Sequence, residues 1–336
     1  MKNQDNGSCS GSLDSHKKIG DNNRDYNPFG GECNVQNGGS CIKIPNGGGD
    51  KNTTQNGSGD VADSFQINGM SSNNNQYYDK QGKLNYEQSI AYENMLRKEL
   101  DEIPLISPKT TIKILIEEYK NNLEYTNSIS NITNKYTWIR KVRRDGNCFY
   151  RAFIYRLFEH IAINKDEELY GRVLSKIREA RNLTERNGYE WTVVEDFYNI
   201  FENSFNNVFN CDNKGKVREK LDESFADKDK GNYLIYFIRL CIAAYLKENK
   251  ILYEYYVEDS FERWIQTEVE PIDHEADQIQ IMAAVSYFDF GVKIECLNKH
   301  KGELMKFPED KKDEDIFITV LFTPGHYDIL YENNEE

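Results

Sequence analysis

The chain has 336 residues, enough for one large domain or two small ones, and its 56 acidic against 42 basic side chains leave a net charge of −14. With a pI near 5.0, that balance argues against nucleic acid or an anionic membrane as partner, although local basic patches remain compatible with it. The opening Met1-Lys2-Asn3-Gln4-Asp5-Asn6 holds no apolar leader, and no apolar span long enough to cross a bilayer occurs, so no membrane association is expected. Residues 1–83 are dominated by Asn, Gly, Ser and Asp, with runs such as Gly47-Gly48-Gly49 and Asn73-Asn74-Asn75. So little apolar surface cannot offset the entropy of ordering, and this tail is expected to be disordered.

The composition changes near residue 84. From Tyr86 to about Asp101 the pattern is helical, and Pro104 and Pro108 break it. Ile112, Leu115, Ile116, Tyr119 and Leu123 then follow a helical period, which predicts a second helix. Residues 137–143 read as a strand. Beyond residue 148 the helical patterns continue to about 250: Phe197, Ile200, Phe201, Phe205 and Val208 form one stripe, Val217, Leu221 and Phe225 another, and Leu234, Phe237, Ile238, Cys241 and Tyr245 a third. Such stripes are expected to be core. Sheet signals cluster late, at 291–297, 316–322 and 326–331, so the expected class is α+β in one domain.

The run Arg143-Arg144-Asp145-Gly146-Asn147-Cys148-Phe149 delivers a cysteine from a flexible turn to the start of an apolar helix containing Phe149, Phe153 and Leu157. Asn147 or Asp145 can accept hydrogen bonds from the first free N–H groups. The positive end of the helix dipole then favours thiolate at Cys148, as a nucleophile requires. Of five histidines, His160 lies on the same helix roughly 18 Å away, too far to reach the sulfur. His326 follows Thr323-Pro324-Gly325 between two strand-like runs, and Asp328 comes two residues later. Alternation along a strand puts both side chains on one face, with Cα atoms roughly 6.5–7 Å apart, so the carboxylate can orient the imidazole.

Each residue also has a plainer reading: Cys148 as a small buried hydrophobe, His326 as a satisfied core or surface group, Asp328 as a solvated strand-end charge. The other cysteines make neither a CxxC pair nor a zinc set: Cys9, Cys33 and Cys41 lie in the tail, Cys241 and Cys296 read as core, and Cys211 as a partly exposed bystander. The basic run Arg140, Lys141, Arg143, Arg144 reads first as a strand edge protected by charge and second as a substrate contact.

Asp145 to Phe153 resembles the catalytic-cysteine motif of the ovarian-tumour (OTU) family of deubiquitinating cysteine proteases, and Thr323 to Tyr331 resembles the histidine motif of its otubain branch. Glu268-Val269-Glu270-Pro271, a helix carrying Asp277, Ile279, Ile281 and Met282, and Gly291 to Glu295 fit the same branch, so the resemblance spans about 84–332. Arg144 stands where otubains usually carry Pro, and the loop therefore lacks a φ-fixing residue there.

The resemblance implies a papain-like core with a small sheet flanked by helices, and a helical arm at about 165–270 that holds a distal ubiquitin. It implies Cys148 as nucleophile, His326 as general base and acid, Asp328 as orienter, and Asp145, Gly146 and the Cys148 N–H as the oxyanion loop. Asp145 keeps a second reading as a helix cap. The implied substrates are ubiquitin–lysine isopeptide bonds, with preference for the compact chains that mark proteins for the proteasome. The alternative is a non-catalytic binder that blocks ubiquitin-charged conjugating enzymes, and another ubiquitin-like modifier stays open as substrate. No cofactor or metal is expected. The expected molecule is a monomer in the cytoplasm, with the nucleus as a second compartment.

The tail has no apolar periodicity with which to dock on a core. Deleting residues 1–83 is therefore expected to leave diubiquitin turnover within a few-fold of the full chain, whereas deletion to about residue 105 should impair partner binding. Steady-state turnover of the two truncations beside the full chain checks this.

Overall fold

The computed structural model describes residues 90–333, apart from 92, 93, 96, 97, 101 and 299–302. The tail over 1–83 lies outside these residues. The described positions between 90 and 100 are helical, in keeping with the pattern from Tyr86 to Asp101. Next come strand β1 (Thr110–Thr111), the short helix α1 (Ile114–Glu118) and helix α2 (Thr126–Lys135).

Here the expected helix from Ile112 to Leu123 contracts to little more than one turn. Ile112 and Leu115 are buried, but Ile116 is 48% and Leu123 82% exposed, so only the first turn faces a core. The longer helix forms further on, where Ile129 and Ile132 are buried. Its sequence, TNSISNITNK, consists largely of weak helix formers around two apolar anchors, which hid it from a periodicity argument.

Strand β2 (Tyr136–Arg140) leads through the cysteine loop into helix α3 (Cys148–Asn164). Four more helices follow: α4 (Glu167–Arg186), α5 (Trp191–Phe209), α6 (Lys214–Ala226) and α7 (Lys228–Glu248). Short helical turns carry the chain to Val269, and helix α8 (Gln278–Phe288) opens with a capping box built by Asp277 and Gln280. Strands β3 (Gly291–Cys296), β4 (Glu303–Phe307), β5 (Ile316–Thr323) and β6 (His326–Glu332) complete the sheet. Its order is β1-β2-β6-β5-β3-β4, antiparallel except between β3 and β5. Strand β4 has no sequence signal comparable to the others, since Glu303 and Leu304 are exposed and only Phe307 is buried.

Helix α3 lies between the sheet and helices α5, α6 and α7 and is buried nearly all round. That explains its apolar residues on every face. Phe158 sits with ring centroids 5.2 Å from Phe201 and 5.0 Å from Phe205. The expected stripes are core in their main part: Phe201, Phe205, Val208, Val217, Leu221, Phe225, Leu234, Phe237, Ile238 and Cys241 are buried, while Phe197, Ile200 and Tyr245 are half-buried against them. Cys211 and Cys296 are both half-buried, which corrects the core reading of Cys296 and agrees with that of Cys211.

The basic run does not form a charge-protected edge. β2 is an inner strand, paired with β1 on one side and β6 on the other. Arg140 is 3% and Arg143 7% exposed. Arg140 Nε donates to the Tyr331 hydroxyl at 3.0 Å, and that hydroxyl donates to Glu159 at 2.9 Å, where Arg156 also donates at 2.7 Å. Arg143 donates to the Ile103 carbonyl. Buried anions and carbonyls supply partners that a linear reading cannot see.

Removing the Phe158 ring leaves a cavity that neighbouring rings cannot collapse to fill. Phe158→Ala is expected to cost about 3–5 kcal/mol, read as a lower urea midpoint with an unchanged slope.

Candidate active site

The loop 145–147 turns sharply at Gly146, whose φ is +73°. A Cβ there would fall 2.3 Å from the backbone of Asp273, so the loop packs against that segment with no room for a side chain. Neither candidate caps a first-turn N–H of the helix: Asp145 Oδ1 accepts at 3.1 Å from the N–H of Asn147, the residue before the helix. Asn147 makes no side-chain cap bond. Its Oδ1 instead accepts from Arg239 at 2.9 Å and from the Asp273 N–H at 3.0 Å, and its Nδ2 donates to Asp273 Oδ1 at 2.9 Å.

Arg239, on α7, ties the loop down from below. It donates to the carbonyls of Gly146 (3.2 Å), Val269 (3.0 Å) and His274, and its guanidinium lies 4.1 Å from the centre of the Tyr150 ring. Sequence reasoning missed it. The one signal was a lone arginine inside the apolar stripe from Leu234 to Tyr245.

Cys148 begins α3 and is 2% exposed. Burial pushes its thiol up to about 11, with the Asp145 charge acting in the same direction. The Tyr327 backbone, Arg151 and the Phe149 backbone offset this only in part. Desolvation is the largest influence on this thiol and favours its neutral form.

The β5–β6 hairpin closes through a two-residue turn, Pro324-Gly325, with Thr323 paired to His326 and Gly325 at φ +68°. His326 and Asp328 are both buried, and His326 Nε2 lies 2.8 Å from Asp328 Oδ1. The strand-end reading of Asp328 as a solvated charge is thereby excluded. Two further donors reach its carboxylate: the Val142 N–H at 2.9 Å on Oδ1 and Lys141 Nζ at 3.0 Å on Oδ2. Burial alone would raise the Asp328 pKa, but His326, Lys141 and the Val142 N–H outweigh it and hold the carboxyl below its ordinary range. His326 Nδ1 is buried and has no hydrogen-bond partner among the described residues.

The two halves meet at Tyr327: its backbone faces the Cys148 sulfur and acts to lower the thiol pKa, and its ring stands edge-on to Phe149 with centroids 5.5 Å apart. The other described histidines stay away from this point. His160 stacks on Phe317 at 4.1 Å, with burial lowering its pKa to about 4, and His274 is exposed beside Glu268. Asp145 is held by Arg151 through two 2.8 Å bonds, and its own N–H donates to the Arg143 carbonyl at 3.2 Å. Glu275, which carries no sequence signal, sits over the hairpin turn: its Oε1 would be 2.9 Å from a Cβ on Gly325.

Residues 98–332 match the Peptidase C65 Otubain family. The chain belongs to the otubain family. Human ubiquitin thioesterase OTUB1 is 31% identical over 258 residues, covering 74% of this chain and 92% of that protein. Human ubiquitin thioesterase OTUB2 is 26% identical over 231 residues, covering 68% and 95%. An Arabidopsis thaliana ovarian tumor domain-containing deubiquitinating enzyme is 24% identical, covering 70% and 83%. Two solved structures superpose at 25% identity. One, a complex of ceOTUB1 with ubiquitin aldehyde and UBC13~Ub, has a TM-score of 0.66 over 72% of this chain and 99% of that chain. The other, of h/ceOTUB1 with ubiquitin aldehyde and UBCH5B~Ub, has a TM-score of 0.67 over 74% and 98%. The α+β, papain-like architecture implied by the motifs is thus the otubain fold, and the chain is a cysteine-type peptidase of that family.

Gly146→Ala forces a side chain into the Asp273 backbone at a left-handed φ, so the loop must move. Displacements near 1 Å at a reacting centre cost about 100-fold, and a loss of that order in kcat is expected. Single-turnover cleavage checks it.

Proposed function

We propose that this otubain hydrolyses the isopeptide bond between the C-terminal glycine of ubiquitin and a lysine. The observation that carries the proposal is the His326–Asp328 pair, with Nε2 engaged and Nδ1 unpartnered, one residue from Tyr327, whose backbone faces the Cys148 sulfur. Since Asp328 occupies Nε2, Nδ1 is the nitrogen that takes the thiol proton. The thiolate then attacks the carbonyl carbon. The tetrahedral intermediate collapses as the imidazolium returns the proton to the departing lysine amine, leaving a thioester on Cys148. Water, deprotonated by His326, releases the ubiquitin carboxylate and restores the thiol.

In this scheme the Cys148 N–H and the loop at Asp145 and Gly146 face the oxyanion. The Asp145 N–H is bonded to Arg143, so for that donor to serve, the loop must turn when substrate enters. The Asp145 side chain, fixed on Arg151 and the Asn147 N–H, holds the loop in shape.

Relatives named as ubiquitin thioesterases support the substrate class. A distal ubiquitin on the helical region at about 165–270, a preference for compact proteasome-targeting chains, a monomeric state, and residence in the cytoplasm with access to the nucleus belong to the same proposal, on family resemblance. The second reading, a grip on ubiquitin-charged conjugating enzymes, draws support from the UBC13~Ub and UBCH5B~Ub assemblies in which otubain neighbours were determined. Incubating the protein with a panel of diubiquitins, other modifier probes and charged conjugating enzymes separates these readings. Cleavage of no ubiquitin linkage would overturn the first.

Cys148→Ala is expected to abolish cleavage while leaving ubiquitin binding and fold nearly intact, because only one buried sulfur is lost. His326→Ala should be far more damaging than Asp328→Asn, since asparagine retains an acceptor for the ring. Asp328→Ala should fall between them. Steady-state cleavage of one diubiquitin by the four variants decides the order, and equal losses for His326→Ala and Asp328→Asn would make the charge itself essential.

A further inference from the structure

Lys141 is set apart from the other cations of its run. Its side chain is 32% exposed, yet its ammonium is not directed freely into water. It bridges Asp328 Oδ2 at 3.0 Å and Glu118 Oε2, on α1, at 2.9 Å. The two oxygens of Asp328 are thus divided: Oδ1 serves His326 Nε2 and the Val142 N–H, and Oδ2 serves Lys141. A carboxylate held at both oxygens cannot turn about its own axis, and the oxygen facing the imidazole is therefore specified.

We propose that Lys141 is a positioning residue of the catalytic centre: it anchors the second oxygen of Asp328 and sets the proton affinity of the His326–Asp328 pair, while Glu118 holds and tempers it from α1. The inference deepens the proposed hydrolase reading and rests on His326 being the base. Burial acts to lower the Lys141 pKa, but Asp328 and Glu118 outweigh it and keep the ammonium charged. Glu275, before α8, faces His326, and Lys141 with the Val142 N–H faces Asp328; Glu118 and Tyr119 at α1 face Lys141 in turn.

The sign follows from electrostatics. Removing a cation raises the proton affinity of every group near it. Asp328 then protonates at higher pH, which moves the acid limb of activity upward. A purely structural role would lower the rate or the melting temperature and leave the acid limb in place.

The test is the pH profile of kcat/KM for ubiquitin carrying a fluorogenic C-terminal amide, measured on the full chain. Lys141→Met is expected to displace the acid limb upward by about half to one pH unit, with kcat falling and KM nearly unchanged. Lys141→Arg, which keeps the charge, should hold the acid limb at its wild-type position. Glu118→Gln frees the ammonium for Asp328 and should move the acid limb slightly downward. This variant keeps the inference testable if Lys141→Met fails to fold by thermal unfolding. An active wild type with an unmoved acid limb in Lys141→Met, or in Glu118→Gln where Lys141→Met does not fold, would overturn the positioning role alone. A wild type inert toward ubiquitin would overturn it together with the substrate reading.

Discussion

The Asp328 carboxylate is the contact on which the geometry of the site depends. A buried carboxylate is costly by several kcal/mol unless donors surround it, and here three converge from two parts of the chain: a ring nitrogen from its own strand, and the backbone N–H of Val142 with the ammonium of the neighbouring Lys141. Because Val142 and Lys141 lie between β2 and the cysteine loop, satisfying the carboxylate also fixes where that loop begins, beside the hairpin that carries His326 and Asp328.

The opposite wall of the loop has its own constraint. Arg239 is a fully buried cation with carbonyl oxygens and the Asn147 amide oxygen as its partners, stacked on Tyr150. Charge-assisted bonds to carbonyls are strong in such surroundings, so the loop is gripped from α7 while Asp328 and Lys141 set its start. Between these two anchors Cys148 is shielded from water, and burial favours its neutral thiol.

Much of this was legible in the chain. The cysteine that follows an Asp-Gly-Asn turn at the start of an apolar helix and the Pro-Gly turn before His326 are local signals, and alternation along one strand was enough to pair His326 with Asp328. What stayed hidden acts across the fold. Lys141 and Arg140 look alike in sequence, yet one orients a carboxylate and the other is buried under Tyr331; a run of charges does not record whether anions wait inside. Arg239 reads as an interruption of a core stripe. The acidity of Cys148 was misjudged because a helix start is visible in sequence and desolvation is not. Helix α2 escaped notice because packing at Ile129 and Ile132, not propensity, holds it.

The sheet order carries a consequence for biosynthesis. Strand β6 is the last strand in the chain but lies inside the sheet, between β2 and β5. Until it emerges from the ribosome, both neighbours present open edges, and the long separation of β2 from β6 makes their pairing a late, non-local event. The same strand carries His326 and Asp328. A nascent chain that has already folded its helices around Cys148 therefore lacks the His326–Asp328 pair until this strand closes the sheet.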